Sequence, residues 1–296
     1  SRPKANLMSG WLTEMAGAEV KPVLRRVTGP SATAGGSRRF FHLLYLIAVT
    51  DFRKVYFNTA LGYLWSLLRP LLLFAVLLFV FTQVFRIGSE VDNYPVLLLF
   101  NIVLFGFFTE STLASVTSVV NQETVVRKTQ FPRLVIPLST VLTGLFNLGL
   151  NMIAVFIFMV AFGVNPMWTW LLFPVIVLSM LILTVAVAML LSVLYVRYRD
   201  VLIIWSVAAT MLFYATPVLY PIEFMPAKFH DLAFVNPLTS IMVQARVWII
   251  DPNAPGAVSA AGGLVHLIPA IVIYIGVCVL AVRVFNREAP RIAEEL

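Results

Sequence analysis

The chain has 296 residues, 60% of them hydrophobic and 12% charged, with a mean hydropathy of +0.93. Soluble domains carry about 45–50% apolar and about 25% charged residues, so this composition cannot cover a water-exposed surface and is that of an integral membrane protein. One cysteine, Cys278, excludes a disulfide framework or a Cys-based metal site, and His42, His230 and His266 are too scattered to suggest a metal cluster.

Residues 1–37 are polar, mixed in charge and rich in small residues, with no apolar run of signal-peptide length. They read as a mobile cytosolic tail. From Arg38 the texture changes. Phe40, Leu43, Leu44 and Ile47 fall at i, i+3, i+4 and i+7, with Arg39, His42 and Arg53 on other faces. Asp51, Arg53 and Lys54 interrupt the run too early for a span. Residues 38–60 are therefore predicted to form an amphipathic helix lying in the headgroup layer.

Six apolar runs follow, judged against the about 17–25 residues needed for a hydrocarbon core of about 30 Å. They cover residues 64–85, 95–120, 136–162, 168–196, 201–216 and 264–284. Breakers separate them: Gly88 and Asn93, Pro132, Gly163 with Pro166, and Arg197 to Asp200. The segment 217–263 differs, holding six prolines and two short helix-like stretches. One of these, residues 238–250, has the length of a re-entrant or interfacial helix, and non-helical backbone at that depth must be covered by protein or face water. The segment is expected to fold back into the mouth of the protein as a lid held by packing and not by charge.

A pI near 9.8 would point to nucleic acid in a soluble protein, but membrane orientation accounts for it here. With the N-terminus in the cytosol, ten Lys and Arg lie up to Arg69 near the start of the first span, three in 121–135, two at Arg197 and Arg199, and three after Val282. The opposite side holds only Arg86, Lys228 and Arg246. The distribution of 18 against 3 places both termini inside and the proline-rich loop outside.

None of the five lysines follows a glycine, so a phosphate-cradling loop is absent and the chain cannot hydrolyse ATP alone. Neither H-E-x-x-H nor G-x-S-x-G occurs, and catalysis is not expected. A membrane transferase would need an acidic or His-bearing interfacial loop, for which Asp200, Glu223 and Asp231 are poor candidates. A secondary transporter would need an internal repeat and several ionisable groups at the midplane. Only Glu110 lies well inside a span, about 22 Å from Pro95 at 1.5 Å per residue. It reads as a buried helix-packing partner, with Arg69 at similar depth; a role in substrate passage is the other reading.

Residues 121–134, NQETVVRKTQFPRL, hold a short polar helix candidate from Glu123 to Gln130, ended by Phe131 and Pro132. Arg127, Lys128, Phe131 and Arg133 would give it an apolar anchor and basic residues at an exposed end, suited to docking a cytosolic partner. The 23 Phe and other aromatics face lipid or neighbouring helices, with some able to line a conduit by stacking on sugar rings.

Five motifs in this order carry a family resemblance: LGYLWSLLRP at 61–70, KTQFPR at 128–133, YRD at 198–200, TPVLYP at 216–221 and NPL at 236–238. Over residues 40–285 the chain resembles the permease subunits of ABC-2-type exporters of lipid-linked polysaccharides such as O-antigen, teichoic acid or cell-wall glycans. The resemblance implies an all-α protein of the cytoplasmic membrane, with six spans over 61–285, an interfacial N-terminal helix and re-entrant outer helices within 217–250. Residues 286–296 form the C-terminal cytosolic tail. It further implies a homodimer with two separate ATPase subunits, which bind ATP and Mg while this chain holds no cofactor. The coupling element would be Glu123, Arg127, Lys128, Phe131, Pro132 and Arg133. In and beside the motifs, Tyr63, Trp65, Tyr214, Tyr220 and Phe224 are candidates to line the conduit or gate between subunits. An exporter of a drug or small lipid is the alternative. The tail before Phe40 is longer than the family leads one to expect.

Overall fold

The second apolar run is hydrophobic around its whole circumference, and such a helix belongs where every face finds a partner. In the computed structural model, which describes residues 37–56, 62, 64–86, 91, 93–123 and 132–289, it forms the central helix. The tails 1–36 and 290–296, Tyr63, and residues 124–131 with Arg127, Lys128 and Phe131 lie outside the described residues.

The helices in chain order are α1 (Ser37–Tyr56), α2 (Leu64–Phe79), α3 (Tyr94–Asn121), α4 (Val135–Ala161), α5 (Phe173–Arg197), α6 (Val201–Ala215), α7 (His230–Val235), α8 (Pro237–Ile249), α9 (Ala257–Ala260) and α10 (Leu264–Glu288). A π-helical turn, Val80–Val84, extends α2, and a 3₁₀ turn, Trp168–Leu172, leads into α5. Among the described residues, five helical stretches are long and apolar enough to cross a membrane: Leu64–Val84, Tyr94–Asn121, Val135–Ala161, Trp168–Arg197 and Leu264–Glu288. The fifth predicted run becomes α6, which with 15 residues is shorter.

Around α3 pack α4, α5, α2 and α6, the first two most extensively. The tight approach of α4 depends on Gly144, where a β-carbon would overlap Ser111 Oγ. Two buried hydroxyls on α3 bond back to their own helix, Thr112 to Phe108 O (2.8 Å) and Ser115 to Ser111 O (2.7 Å), which satisfies them in an apolar surround. On the far side of α5 lies α10, joined by Tyr274 donating to Ser179 O at 2.9 Å.

Two expectations change here. The stripe Phe40, Leu43, Leu44 and Ile47 of α1 packs on the bundle, beside Val135 and Ile136. Ala48 O also accepts a bond from Thr143 (3.1 Å). The side of α1 facing away carries Phe41, Tyr45 and Leu46, so the helix is apolar on two faces rather than one. The proline-rich segment is also richer than two short helices, holding α7, α8, α9 and 3₁₀ turns at Ile222–Phe224 and Ala227–Phe229. Pro237 opens α8 at its first position, where the missing N–H costs nothing, and Pro221 stands just ahead of the 3₁₀ turn Ile222–Phe224.

Candidate functional site

Helix α6 covers about 22 Å at 1.5 Å per residue, less than a core of about 30 Å. It stops where Thr216 turns extended ahead of Pro217. Asn101, which meets the break, is seven residues into α3, about 10 Å below its Tyr94 end at the same rise. Carbonyls freed at that depth need donors, because lipid supplies none. Asn101 Nδ2 donates to Pro217 O and Val218 O, both at 3.2 Å, and Tyr94 Oη donates to Leu219 O at 2.8 Å. Asn236 Nδ2 donates to Thr216 Oγ1 (2.8 Å), while its Oδ1 accepts from Leu238 N (3.0 Å) and caps α8. Trp170 Nε1 bonds Ile249 O (2.8 Å) at the other end of α8. The segment is thus pinned by side-chain donors to α3 and to the turn that leads into α5.

Within the segment itself, a charged group joins two of its pieces. Arg246 NH1 contacts both oxygens of Glu223 at 2.9 Å, and NH2 lies 3.7 Å from Asp251 Oδ2. Sequence distance hid this group, since Glu223 and Arg246 are 23 residues apart.

Beside this lid an open cavity of about 470 Å³ is lined by Phe81 and Phe85 from the end of the first span and by Tyr220, Phe224, Met225, Pro226 and Phe229. The π-helical turn, closed by Phe85 N to Val80 O at 3.2 Å, presents Phe81 and Phe85 as a tilted pair 5.3 Å apart. Tyr220 Oη donates to Tyr214 O at 3.2 Å. The structure therefore brings together Tyr214, Tyr220 and Phe224 of the sequence candidates. Trp65 does not join them, standing near the opposite end of α2, about 24 Å along the axis from Phe81. Phe81 and Phe85 were absent from the candidates, although their i, i+4 spacing was visible.

Arg69 and Glu110 pair at 3.3 Å, but their side chains are 77% and 55% exposed, so they are not buried within the chain. The reason is one-sided packing. Of α2 only Phe74 is buried, and of α6 only Ala209. Trp205 Nε1 to Thr112 Oγ1 (3.0 Å) ties α6 to α3 on its inner side, while Ile203, Ile204, Val207 and Met211 stay exposed.

At the Asn121 end of α3, Glu123 and Pro132 border the stretch outside the described residues. Arg133, expected among exposed basic residues, is 2% exposed. It sits in the turn into α4, where Val135 N bonds Pro132 O (3.0 Å) and Ile136 N bonds Arg133 O (3.3 Å), and that turn tucks it inward.

Residues 42–249 match the family model described as ABC-2 type transporter. The chain belongs to the ABC-2 type transporter family. This ABC-2 subunit is 30% identical over 259 residues to an O-antigen export system permease protein RfbA of Klebsiella pneumoniae, covering 86% of this chain and 95% of the relative. A second Klebsiella pneumoniae RfbA is 31% identical over 207 residues, 70% of this chain and 79% of that protein. The RfbA of Myxococcus xanthus is 31% identical over 218 residues, 73% and 83% of the two chains. ABC-2 members of this kind are membrane subunits of transporters, so the chain is a transport component of a membrane and not an enzyme.

Proposed function

We propose that this chain is the six-span permease subunit of an ATP-driven exporter, moving a lipid-linked polysaccharide of the O-antigen type across the cytoplasmic membrane. It works as a homodimer with two separate ATP-binding subunits that hold ATP and Mg. The observation that carries the reading is the exposed Arg69–Glu110 pair on the uncovered α2 and α6 side of α3. A charged group at the bilayer centre costs about 2.5–3.5 kcal/mol on the insertion scale, and this pair lies towards the cytosolic end of its helices, where water or protein can serve it. A second copy placed against it would enclose a conduit with the aromatic cavity at its outer mouth.

With both termini inside, α6 and the pinned break together cross the membrane, since about 22 Å of helix and about 10 Å of covered non-helical chain sum to the core thickness. Force from ATP hydrolysis enters through Glu123, Arg127, Lys128, Phe131 and Pro132, with Arg133 at the buried base of that segment. Helix α1 is the second contact, at the headgroup layer.

Deleting the chain's gene tests the substrate. Surface polysaccharide should disappear while lipid-linked glycan accumulates on the cytosolic side, and plasmid-borne wild type should reverse both. Normal surface glycan with loss of resistance to a small amphiphile would favour the drug-exporter alternative instead.

A further inference from the structure

We propose that Arg246 is a positioning residue which, by gripping Glu223, fixes the neighbouring Phe224 in the wall of the aromatic cavity. The Glu223–Arg246–Asp251 triad would thereby set the shape of the outer mouth. The inference rests on the export reading only for what passes that mouth.

The geometry separates Arg246 from an ordinary surface ion pair. Its side chain is 15% exposed, against 38% for Glu223 and 23% for Asp251. The arginine lines a small cavity of about 10 Å³ among Leu97, Asn101, Pro217 and Met242. An arginine with its stem in apolar surroundings, NH1 shared between both oxygens of Glu223 and NH2 towards Asp251 is held in one geometry, unlike a long side chain free in water. Basic residues are scarce in 201–282, where only Lys228 and Arg246 occur.

The triad joins two pieces of backbone that otherwise meet only by packing. Arg246 stands in the last turn of α8, where a cation is favoured by the helix dipole, and its own carbonyl accepts Ile250 N (2.9 Å) and Asp251 N (3.0 Å). Glu223 is the middle residue of the 3₁₀ turn Ile222–Phe224. Ile222 on one side of it is 2% exposed and packs with Phe234 and Val243, while Phe224 on the other side lines the cavity. Holding Glu223 therefore fixes the turn at its midpoint, with one neighbour in the core and one in the cavity wall. The two carboxylates have one cation between them. Removing the arginine leaves like charges facing each other, whereas removing Glu223 leaves Arg246 with Asp251 at 3.7 Å.

The test uses full-length protein in nanodiscs, with Cys278→Ser to remove the native thiol, and reads maleimide labelling of Phe224→Cys. Val258→Cys, exposed on α9 and outside the triad, reports on the rest of the outer segment. Arg246→Gln should speed labelling at 224 about tenfold, the loss of a charged hydrogen-bonded contact, without changing the rate at 258. Glu223→Gln should give a smaller rise and Arg246→Lys a partial one. The exchange Glu223→Arg with Arg246→Glu should fail to restore the slow rate until Asp251→Asn is added, because Asp251 would otherwise face the new carboxylate. If Arg246→Gln does not fold, the Glu223→Gln and triple-variant rates decide the question in its place. Unchanged labelling at 224, or equal rises at 224 and 258, would overturn the positioning role. Labelling needs neither ATPase nor glycan, so the result stands apart from whether the substrate reading holds.

Discussion

Asn101 is the one polar side chain of α3 between Pro95 and Phe108, and the break after α6 depends on it. Replacing it with leucine keeps the number and branching of the side-chain heavy atoms and removes both donations, to Pro217 O and Val218 O at 3.2 Å. Each bond is worth about 1 kcal/mol net, and stranding two carbonyls where lipid cannot serve them raises the total to about 2–3 kcal/mol. Its Oδ1 has no hydrogen-bond partner, so leucine sacrifices nothing on that side. A local loss of this size speeds amide exchange across residues 216–222 by about 30- to 150-fold, read by hydrogen–deuterium exchange mass spectrometry on purified protein. Tyr94→Phe removes the single 2.8 Å bond to Leu219 O, so about 1 kcal/mol and roughly fivefold faster exchange are expected. Asn101→Asp should be worse than leucine, since it points acceptors at two carbonyls. Exchange unchanged in Asn101→Leu, or no faster than in Tyr94→Phe, would refute the idea that side-chain donors hold the break.

Four further outcomes are expected. Gly144→Ala should lower the yield of monodisperse protein, because overpacking at Ser111 costs about 1–3 kcal/mol, and Ser111→Gly should restore it. Glu110→Gln should retain much of the export, since the amide keeps shape and hydrogen bonds; loss of export with normal folding and ATPase binding would assign the charge a direct role. A reporter fused after Asn253 should appear outside and one after Thr129 or at the C-terminus inside, and a cytosolic Asn253 would break the six-span topology. Reversing charge at Arg127 and Lys128 together should weaken ATPase association or uncouple hydrolysis from export, measured by pull-down and turnover in one preparation, with membrane insertion intact.

The sequence by itself determined the class of the protein and the bounds of its long helices. Runs 64–85, 95–120, 136–162, 168–196 and 264–284 became helices within a few residues of those limits, because an apolar stretch of that length in a membrane must close its own backbone hydrogen bonds. It also marked 238–250 as a short helix, since prolines and length are local properties.

What it could not assign was which apolar helix goes where. Runs 64–85 and 95–120 are comparably hydrophobic, yet α3 is buried on nearly every side while α2 buries only Phe74. Hydropathy measures departure from water, and that departure is the same whether the new neighbour is lipid or protein. For the same reason Phe81 and Phe85 could not be told from lipid-facing rings until the lid lay opposite them. Asn101 and Arg246 owe their roles to partners 116 and 23 residues away. Only the tertiary structure brings those residues within hydrogen-bonding reach, because a hydrogen bond or ion pair depends on positions in space that no local pattern encodes.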